Sequence, residues 1–242
     1  GSSTNQQKYR VVSDKPFTNE LYARGVALRI EGKAKQARDY FKLAIQEDNQ
    51  LFWPKYQHAL TSRQIGLIDE SIDELLQLKQ ELPALASNDI QLATSIENAL
   101  GTAFMRKSDN KTGVQYYANA YELAKKNGNA DYQAKIASNI AWIHKSMRDY
   151  PAARSWLVKS MKSREADGQP ALVNNIYLMA QLEYLMNDLN QSEVTANKAL
   201  KLYLEGNKKV EAAKVFSMLA KIYRQKGDWS QTHASLDKAI QL

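Results

Sequence analysis

The stretch FSMLAKIYRQKGDWSQTHASLDKA, residues 216–239, decides the fold. Ala220 is a small residue inside a helical pattern. Thr232, about a dozen residues later, is a second one. Between them lies Gly227-Asp228-Trp229, a turn signal. Glycine suits a helix C-terminus, and Asp suits the N-cap of the helix that follows. Two antiparallel helices joined by a short turn approach closely only where the contact side chains are small. The stretch therefore reads as a helical hairpin.

Working outward, the same pattern recurs through the chain. Gly25, Ala59, Gly101, Ala141 and Ala180 precede Ala220 at steps of 34, 42, 40, 39 and 40 residues. Their second small partners are Ala37, Ser71, Gly113, Ala153 and Ser192. The intervening turns are Glu31-Gly32-Lys33, Ile65-Gly66-Leu67, Ser108-Asp109-Asn110, Arg148-Asp149-Tyr150 and Asn187-Asp188-Leu189. Pro151 falls in a first helical turn, where its missing N–H costs little. A single hairpin cannot bury its apolar stripe, whereas stacked hairpins bury it between neighbours. Helices are expected at 18–31, 34–47, 52–65, 68–81, 89–107, 110–126, 130–147, 150–163, 171–186, 189–205, 208–226 and 229–242. Residues 1–17 are expected to form an expression scar (Gly1-Ser2-Ser3) and a tail or irregular arm, and residues 18–242 the repeat domain.

These residues resemble the tetratricopeptide family, whose pattern combines W-x2-L-G-x2-Y with A-x3-F, A and P. The last hairpin carries it in Phe216, Leu219, Ala220, Tyr223, Leu236 and Ala239. The first carries Leu21, Gly25, Leu28, Gly32, Ala37, Phe41 and Ala44. The third has Leu100-Gly101, Phe104, Tyr117 and Ala120, and the second keeps Gly66 and Pro83. The fourth and fifth depart from it, with His144 and Glu183 at the Tyr position. The resemblance implies an all-α, right-handed superhelical solenoid of about six hairpins. Steps near 40 exceed the family's usual ~34 and imply longer helices.

The 242 residues carry a net charge of +7 and no cysteine. The absence of Cys excludes disulfides, thiolate metal sites and cysteine nucleophiles. No run of 18 apolar residues is present, so no membrane-spanning helix is expected. Catalytic chemistry is not expected either. His58, His144 and His233 lie in three different repeats, and none forms the i,i+4 pair of a helical metal site. Gly25 to Gly32-Lys33-Ala34 fails as a phosphate loop because its spacing is too long and no Ser or Thr follows the lysine. Glu70, Asp73 and Glu74 are expected on a solvated helix face rather than as a catalytic dyad. No metal or cofactor is expected.

In the tetratricopeptide family, the first helix of each pair lines the concave surface. Its ligand-contacting positions, three or four residues apart, form one stripe. Carried onto this chain, the stripe begins with Asn19, Tyr22, Val26, Arg29 and Ile30, then Trp53, Tyr56, Leu60, Arg63 and Gln64. It continues with Ser95, Asn98, Thr102, Met105 and Arg106, then Lys135, Ser138, Trp142, Lys145 and Ser146. It ends with Asn174, Tyr177, Gln181, Tyr184 and Leu185, then Lys214, Ser217, Lys221, Arg224 and Gln225. The stripe holds eight cations, about twice the number that the whole-chain frequency would give, and no acid where about three would fall by chance. That bias favours a groove for an acidic peptide or another anion. The candidate contacts are Arg29, Trp53, Tyr56, Arg63, Arg106, Trp142, Lys145, Tyr177, Tyr184, Lys221 and Arg224. The first repeat has Tyr22 and Val26 where the family's clamp for chaperone tails needs Lys and Asn, so that activity is not expected.

The expected function is non-enzymatic protein interaction. The opening, Glu20-Leu21-Tyr22-Ala23-Arg24-Gly25 through Phe41-Lys42-Leu43-Ala44-Ile45, resembles the start of the repeat array in CadC/ToxR-type winged-helix transcriptional regulators. That resemblance implies a sensory or effector region of a larger bacterial regulator, facing the periplasm, with DNA binding and membrane attachment outside this chain. The alternatives are a general periplasmic or cytosolic scaffold, or a binder of single-stranded nucleic acid stacking bases on Trp53, Tyr56, Trp142, Tyr177 and Tyr184. No RNA-binding motif accompanies those aromatics. Trp229, Leu236 and Ile240 place apolar surface on a terminal hairpin, and a second copy or further sequence is expected to cover it.

Overall fold

The computed structural model describes residues 10–86 and 89–242. The expected scar, Gly1-Ser2-Ser3, lies outside the described residues. Twelve α-helices occur among the described residues, and no strand. They are α1 (Pro16–Ile30), α2 (Ala34–Glu47), α3 (Phe52–Gln64), α4 (Ile68–Leu85), α5 (Ile90–Arg106) and α6 (Asn110–Lys126), followed by α7 (Ala130–Ser146), α8 (Tyr150–Ala166), α9 (Val173–Leu185), α10 (Leu189–Glu205), α11 (Lys209–Gln225) and α12 (Trp229–Gln241). Consecutive pairs pack as six hairpins, α1·α2 to α11·α12.

The chain contacts cluster into two compact units, residues 1–128 and 129–242. In the amino-terminal unit the first helices α1, α3 and α5 touch in series. In the carboxy-terminal unit α9 touches α11. Each unit thus has a row of first helices.

The turns follow one design. In the first hairpin the N–H of Lys33 donates to the carbonyl of Leu28, closing the α1 C-terminus five residues back. The same bond recurs from Leu67 to Ser62, Asp109 to Phe104, Asp149 to His144, Asp188 to Glu183 and Asp228 to Tyr223. The residue before the donor has positive φ in every case: Gly32, Gly66, Ser108, Arg148, Asn187 and Gly227. Asp109, Asp149 and Asp228 then accept the N–H three residues on, capping α6, α8 and α12. Asp188 makes no such bond, although the sequence pattern predicts one.

All six first small residues and all six second ones are buried. Ser71 Oγ donates to the carbonyl of Ala59 at 2.7 Å, and Ser192 Oγ to that of Ala180 at 2.7 Å. A Cβ on Gly113 would stand 3.1 Å from the carbonyl oxygen of Gly101. The second small residue therefore meets the backbone beside the first, and the Ser71 and Ser192 hydroxyls give that carbonyl a second donor, whereas the Thr232 hydroxyl donates to Asp228 of its own helix.

Four boundaries differ by two or more residues from those expected, among them the start of α9 at Val173 rather than 171. α1 starts at Pro16, whose fixed φ suits a first helical position. α4 runs through Pro83 to Leu85, because a proline near a helix end disturbs few backbone bonds. α8 continues to Ala166 and closes through a further turn at Gly168, whose φ is positive. The described arm, residues 10–15, is irregular but anchored, since Ser13 is buried.

Candidate functional site

In the amino-terminal unit, the inner helices place five of the candidate contacts. Trp53 and Tyr56 are half-buried and lie edge to face, with centroids 5.8 Å apart. Arg29 reaches across from α1, and its Nη1 donates to Gln57 Oε1 at 2.9 Å. Arg63 and Arg106 occupy the last turns of α3 and α5, where cations meet the negative helix end favourably. Burial holds the Arg63 guanidinium below its usual range, and the neighbouring Arg106 charge adds to the effect, with a further contribution from Arg29. Burial likewise lowers Arg29 and raises the Tyr56 hydroxyl. None of these three arginines has a carboxylate partner among the described residues.

Three stripe positions in this unit are not on the surface. Tyr22 and Val26 are buried at 0% and 1% exposure, and Leu60 is buried too. The Tyr22 ring packs on Phe41, with centroids 5.9 Å apart, and Val12 from the arm joins the same cluster. The stripe drawn from repeat spacing therefore needs correction here. Its outward part in the first hairpin is reduced to Arg29 and its neighbours, because the second helix and the arm bury the rest. Asn19 is also engaged, accepting the N–H of Val12 at 2.8 Å and of Ser13 at 3.0 Å.

The carboxy-terminal unit holds a cavity of about 400 Å³ between α7, α9 and α11. Lys145, Lys214 and Lys221 supply its charge, and Tyr177, Tyr184 and Met218 its apolar wall. Gln181, Leu185 and Ser217 complete the lining, which contains no carboxylate. Eight of these nine residues belong to the stripe read from the sequence. Met218 does not. Lys145 Nζ donates to Gln181 Oε1 at 3.1 Å and lies 4.6 Å from the Trp142 ring centroid. Burial lowers the Lys145 pKa and raises that of Tyr177. Trp142 is 42% exposed, and Arg224 is exposed. Lys135 is drawn away from the stripe by Asp131, 3.0 Å distant on its own helix.

A hydrogen-bond network ties α7, α8 and α9 together. Ser138 Oγ donates to Asn175 Oδ1 at 2.6 Å, Asn175 Nδ2 to Ser160 Oγ at 3.0 Å, and Ser160 Oγ to the Ala134 carbonyl at 2.6 Å. Satisfied networks of this kind favour one packing arrangement.

Other titratable groups pair with one another. His58 Nδ1 lies 2.7 Å from Glu74 Oε1, and Arg38 pairs with Glu70 at 3.0 Å. Glu74 is therefore half-buried between helices, not solvated as its sequence neighbourhood suggested. His144 stands 3.8 Å from Asp149, and His233 is exposed. Among the described residues no group of three His, Cys, Asp or Glu side chains could hold a metal ion, and no helix is long and apolar enough to cross a membrane.

Residues 91–166 match the tetratricopeptide repeat family model. That segment, α5 to α8, is a run of tetratricopeptide repeats. Solved structures carry the likeness along most of the chain. BtubC (BKLC) from P. vanneervenii superposes with a TM-score of 0.72 at 18% identity, covering 87% of this chain and 88% of that one. The apo form of RapI gives 0.70 at 10% identity, covering 93% and 96%. The apo form of the quorum sensor NprR from B. thuringiensis gives 0.60 at 14% identity, covering 94% and 77%. No curated protein sequence matches the chain significantly. At these identities the likeness is one of fold: the tetratricopeptide-like hairpin array.

Proposed function

We propose that this tetratricopeptide-like chain is a non-catalytic interaction module whose inner helices bind an acidic peptide segment or another anionic partner. The cavity between α7, α9 and α11 carries the reading. Three lysines converge on it without a carboxylate, and burial already disfavours the charge on Lys145. A carboxylate entering there gains charge-assisted hydrogen bonds in a setting drier than bulk water. Tyr177, Tyr184 and Met218 offer apolar contact to the residues beside it.

Within this reading the chain is the sensory or effector region of a larger bacterial regulator, facing the periplasm and leaving DNA binding to another domain. Its fold is shared with NprR, a quorum sensor, which accords with a sensory role. Two copies meet through the last hairpin, where Trp229, Leu236 and Ile240 are exposed at 60%, 42% and 84%.

The test is fluorescence anisotropy with labelled Glu-rich and charge-neutral peptides of equal length. Binding of the acidic peptide, lost with Lys214→Glu and Lys221→Glu, is the expected result. Equal binding of both peptides, or tighter binding after the substitutions, would end the reading. Affinity for single-stranded oligonucleotides that grows with strand length would favour base stacking on Trp142 instead.

A further inference from the structure

The irregular arm ahead of α1 is held in an unusual way. The Asn19 side chain accepts the N–H groups of Val12 and Ser13 and donates its own Nδ2 to the Ser13 carbonyl. One amide thus grips two adjacent residues of the arm. The arm so held places the Arg10 guanidinium 3.6 Å above the Trp53 ring centroid. A fourth arginine is thereby added to a face that already bears Arg29, Arg63 and Arg106.

These charges form a line. Trp53 is in the first turn of α3 and Arg63 in its last, ten residues on, so the two stand about 15 Å apart along the helix. Arg29 reaches the middle of that line through its bond to Gln57, and Arg106 on α5 flanks its far end. No described carboxylate pairs with any of the four. At the middle, Arg29 Nε lies out of solvent without an acceptor, while the wholly buried Gln57 turns its amide towards the Tyr22 hydroxyl in the interior. Like charges and an unmet donor are costly to hold together in a half-buried place. An acceptor of opposite charge removes both costs.

We propose that the amino-terminal unit carries a second anion site, a track for an extended acidic strand running from Arg10 and Trp53, past Arg29, to Arg63 and Arg106. The inference rests on the acidic-partner reading above and deepens it. An extended strand rises about 3.3 Å per residue, so about five residues cover the track. Alternate side chains point the same way, so carboxylates at i, i+2 and i+4 meet the arginines in turn. Guanidinium forks match carboxylates with two parallel hydrogen bonds, which lysine cannot do. Asn19 is a positioning residue, acting on the ligand through Arg10.

Calorimetry with hexaglutamate tests this on the whole chain and on a Lys145→Gln/Lys214→Gln/Lys221→Gln variant, which disables the lysine cavity. The variant is expected to bind one hexaglutamate, with diglutamate at least about tenfold weaker. In that background Arg10→Gln and Asn19→Ala should each weaken binding about tenfold. Combining them should cost no more than either alone, because both remove the same contact. If the unmodified chain binds hexaglutamate and the lysine variant does not, the track is overturned while the cavity reading stands. If the unmodified chain binds no acidic peptide, the reading itself falls. Diglutamate or inorganic phosphate binding as tightly as hexaglutamate would overturn the track in favour of a point-charge site. An Arg10→Gln variant that binds normally would remove the arm from it and overturn the proposal as stated.

Discussion

Gly101 and Tyr117 face each other so closely that a Cβ on the glycine would stand 2.7 Å from Tyr117 Cδ1. Gly25 has the same relation to Phe41, where a Cβ would lie 2.6 Å from Cε1. In the other hairpins the first small residue is alanine, and the residue sixteen places on is Leu75, Leu157, Ala196 or Leu236. Glycine therefore stands where the facing side chain is an aromatic ring, and alanine where it is aliphatic. Gly101→Leu should overpack the hairpin and cost on the order of 1–3 kcal/mol. Gly101→Ala should also destabilise, and Tyr117→Leu added to it should recover much of the loss by recreating the Ala59–Leu75 pairing. Urea midpoints of the three variants check this. A Gly101→Leu variant with an unchanged midpoint would contradict the packing.

The hairpin turns allow a second check. Gly66 has φ of 92° and Arg148 φ of 62° at equivalent places. The left-handed conformation costs an L-residue about 1–2 kcal/mol. Gly66→Ala should therefore destabilise the chain by about 1 kcal/mol, while Arg148→Gly should be neutral or slightly stabilising, since relief of strain is offset by a freer unfolded chain. Thermal melts of both variants, moving in these directions, are the expected outcome.

The six-hairpin fold was legible because its determinants are local. A small residue, a turn signal and a second small residue about a dozen places on are each visible in the sequence, and the helices followed within a few residues. The site was legible only in part. Repeat spacing carries Lys145, Tyr177 and Tyr184 to one face, and they line one cavity. Tyr22 and Val26 were misplaced because the arm that helps bury them belongs to no repeat. Gln57 was missed because its inward position reads as core. Arg10 was missed because its stacking on Trp53 depends on Asn19, and no periodicity connects the two.

Glu183 is 4% exposed, and its Oε1 lies out of solvent without a partner. Burial raises its pKa, the nearby Asp188 adds to that, and a Thr195 hydrogen bond and the Arg154 charge oppose it. The folded state therefore holds this proton more tightly than the unfolded chain does. As pH rises through the unfolded carboxylate pKa towards the raised folded one, the unfolded state gains from ionisation and the fold loses stability. Glu183→Gln should be the more stable protein at pH 7 and should lose that part of the pH dependence. Urea titrations at pH 4 and pH 7 compare the two. A Gln variant less stable at pH 7 would show that the carboxylate is engaged in its charged form.

At the lysine cavity, charge and apolar contact should separate kinetically. Lys214 and Lys221 are exposed, so Lys214→Glu and Lys221→Glu should slow association with an acidic peptide and flatten its salt dependence while leaving the melting temperature nearly unchanged. The same reversal at Arg63 and Arg106 should weaken the acidic peptide on the amino-terminal unit. Trp142→Ala removes a half-exposed aromatic anchor beside Lys145. It should leave association unchanged and speed release by about tenfold. Stopped-flow mixing resolves the two rates, and a Trp142 effect confined to association would contradict this division.

The last hairpin gives a prediction about assembly. At the place of Leu236 the earlier hairpins carry Phe41, Leu75, Tyr117, Leu157 and Ala196, all buried. Leu236 is 42% exposed and Ile240, one turn on, is 84% exposed, with Trp229 at 60% on the same helix. Truncating or burying such side chains changes free energy by about 1.5–3 kcal/mol each, so three of them on one helix can drive association if they meet a complementary surface. In the proposed dimer that surface is the same helix of a second copy, an isologous contact. Sedimentation should show a concentration-dependent dimer. Leu236→Glu and Ile240→Glu should each shift it to monomer; Ile240→Glu should leave the melting temperature of the monomer unchanged because that side chain is 84% exposed, while Leu236→Glu should lower it because Leu236 faces Ala220 in its own hairpin. A chain that stays monomeric at all concentrations would contradict the dimer, as would a dimer indifferent to both substitutions.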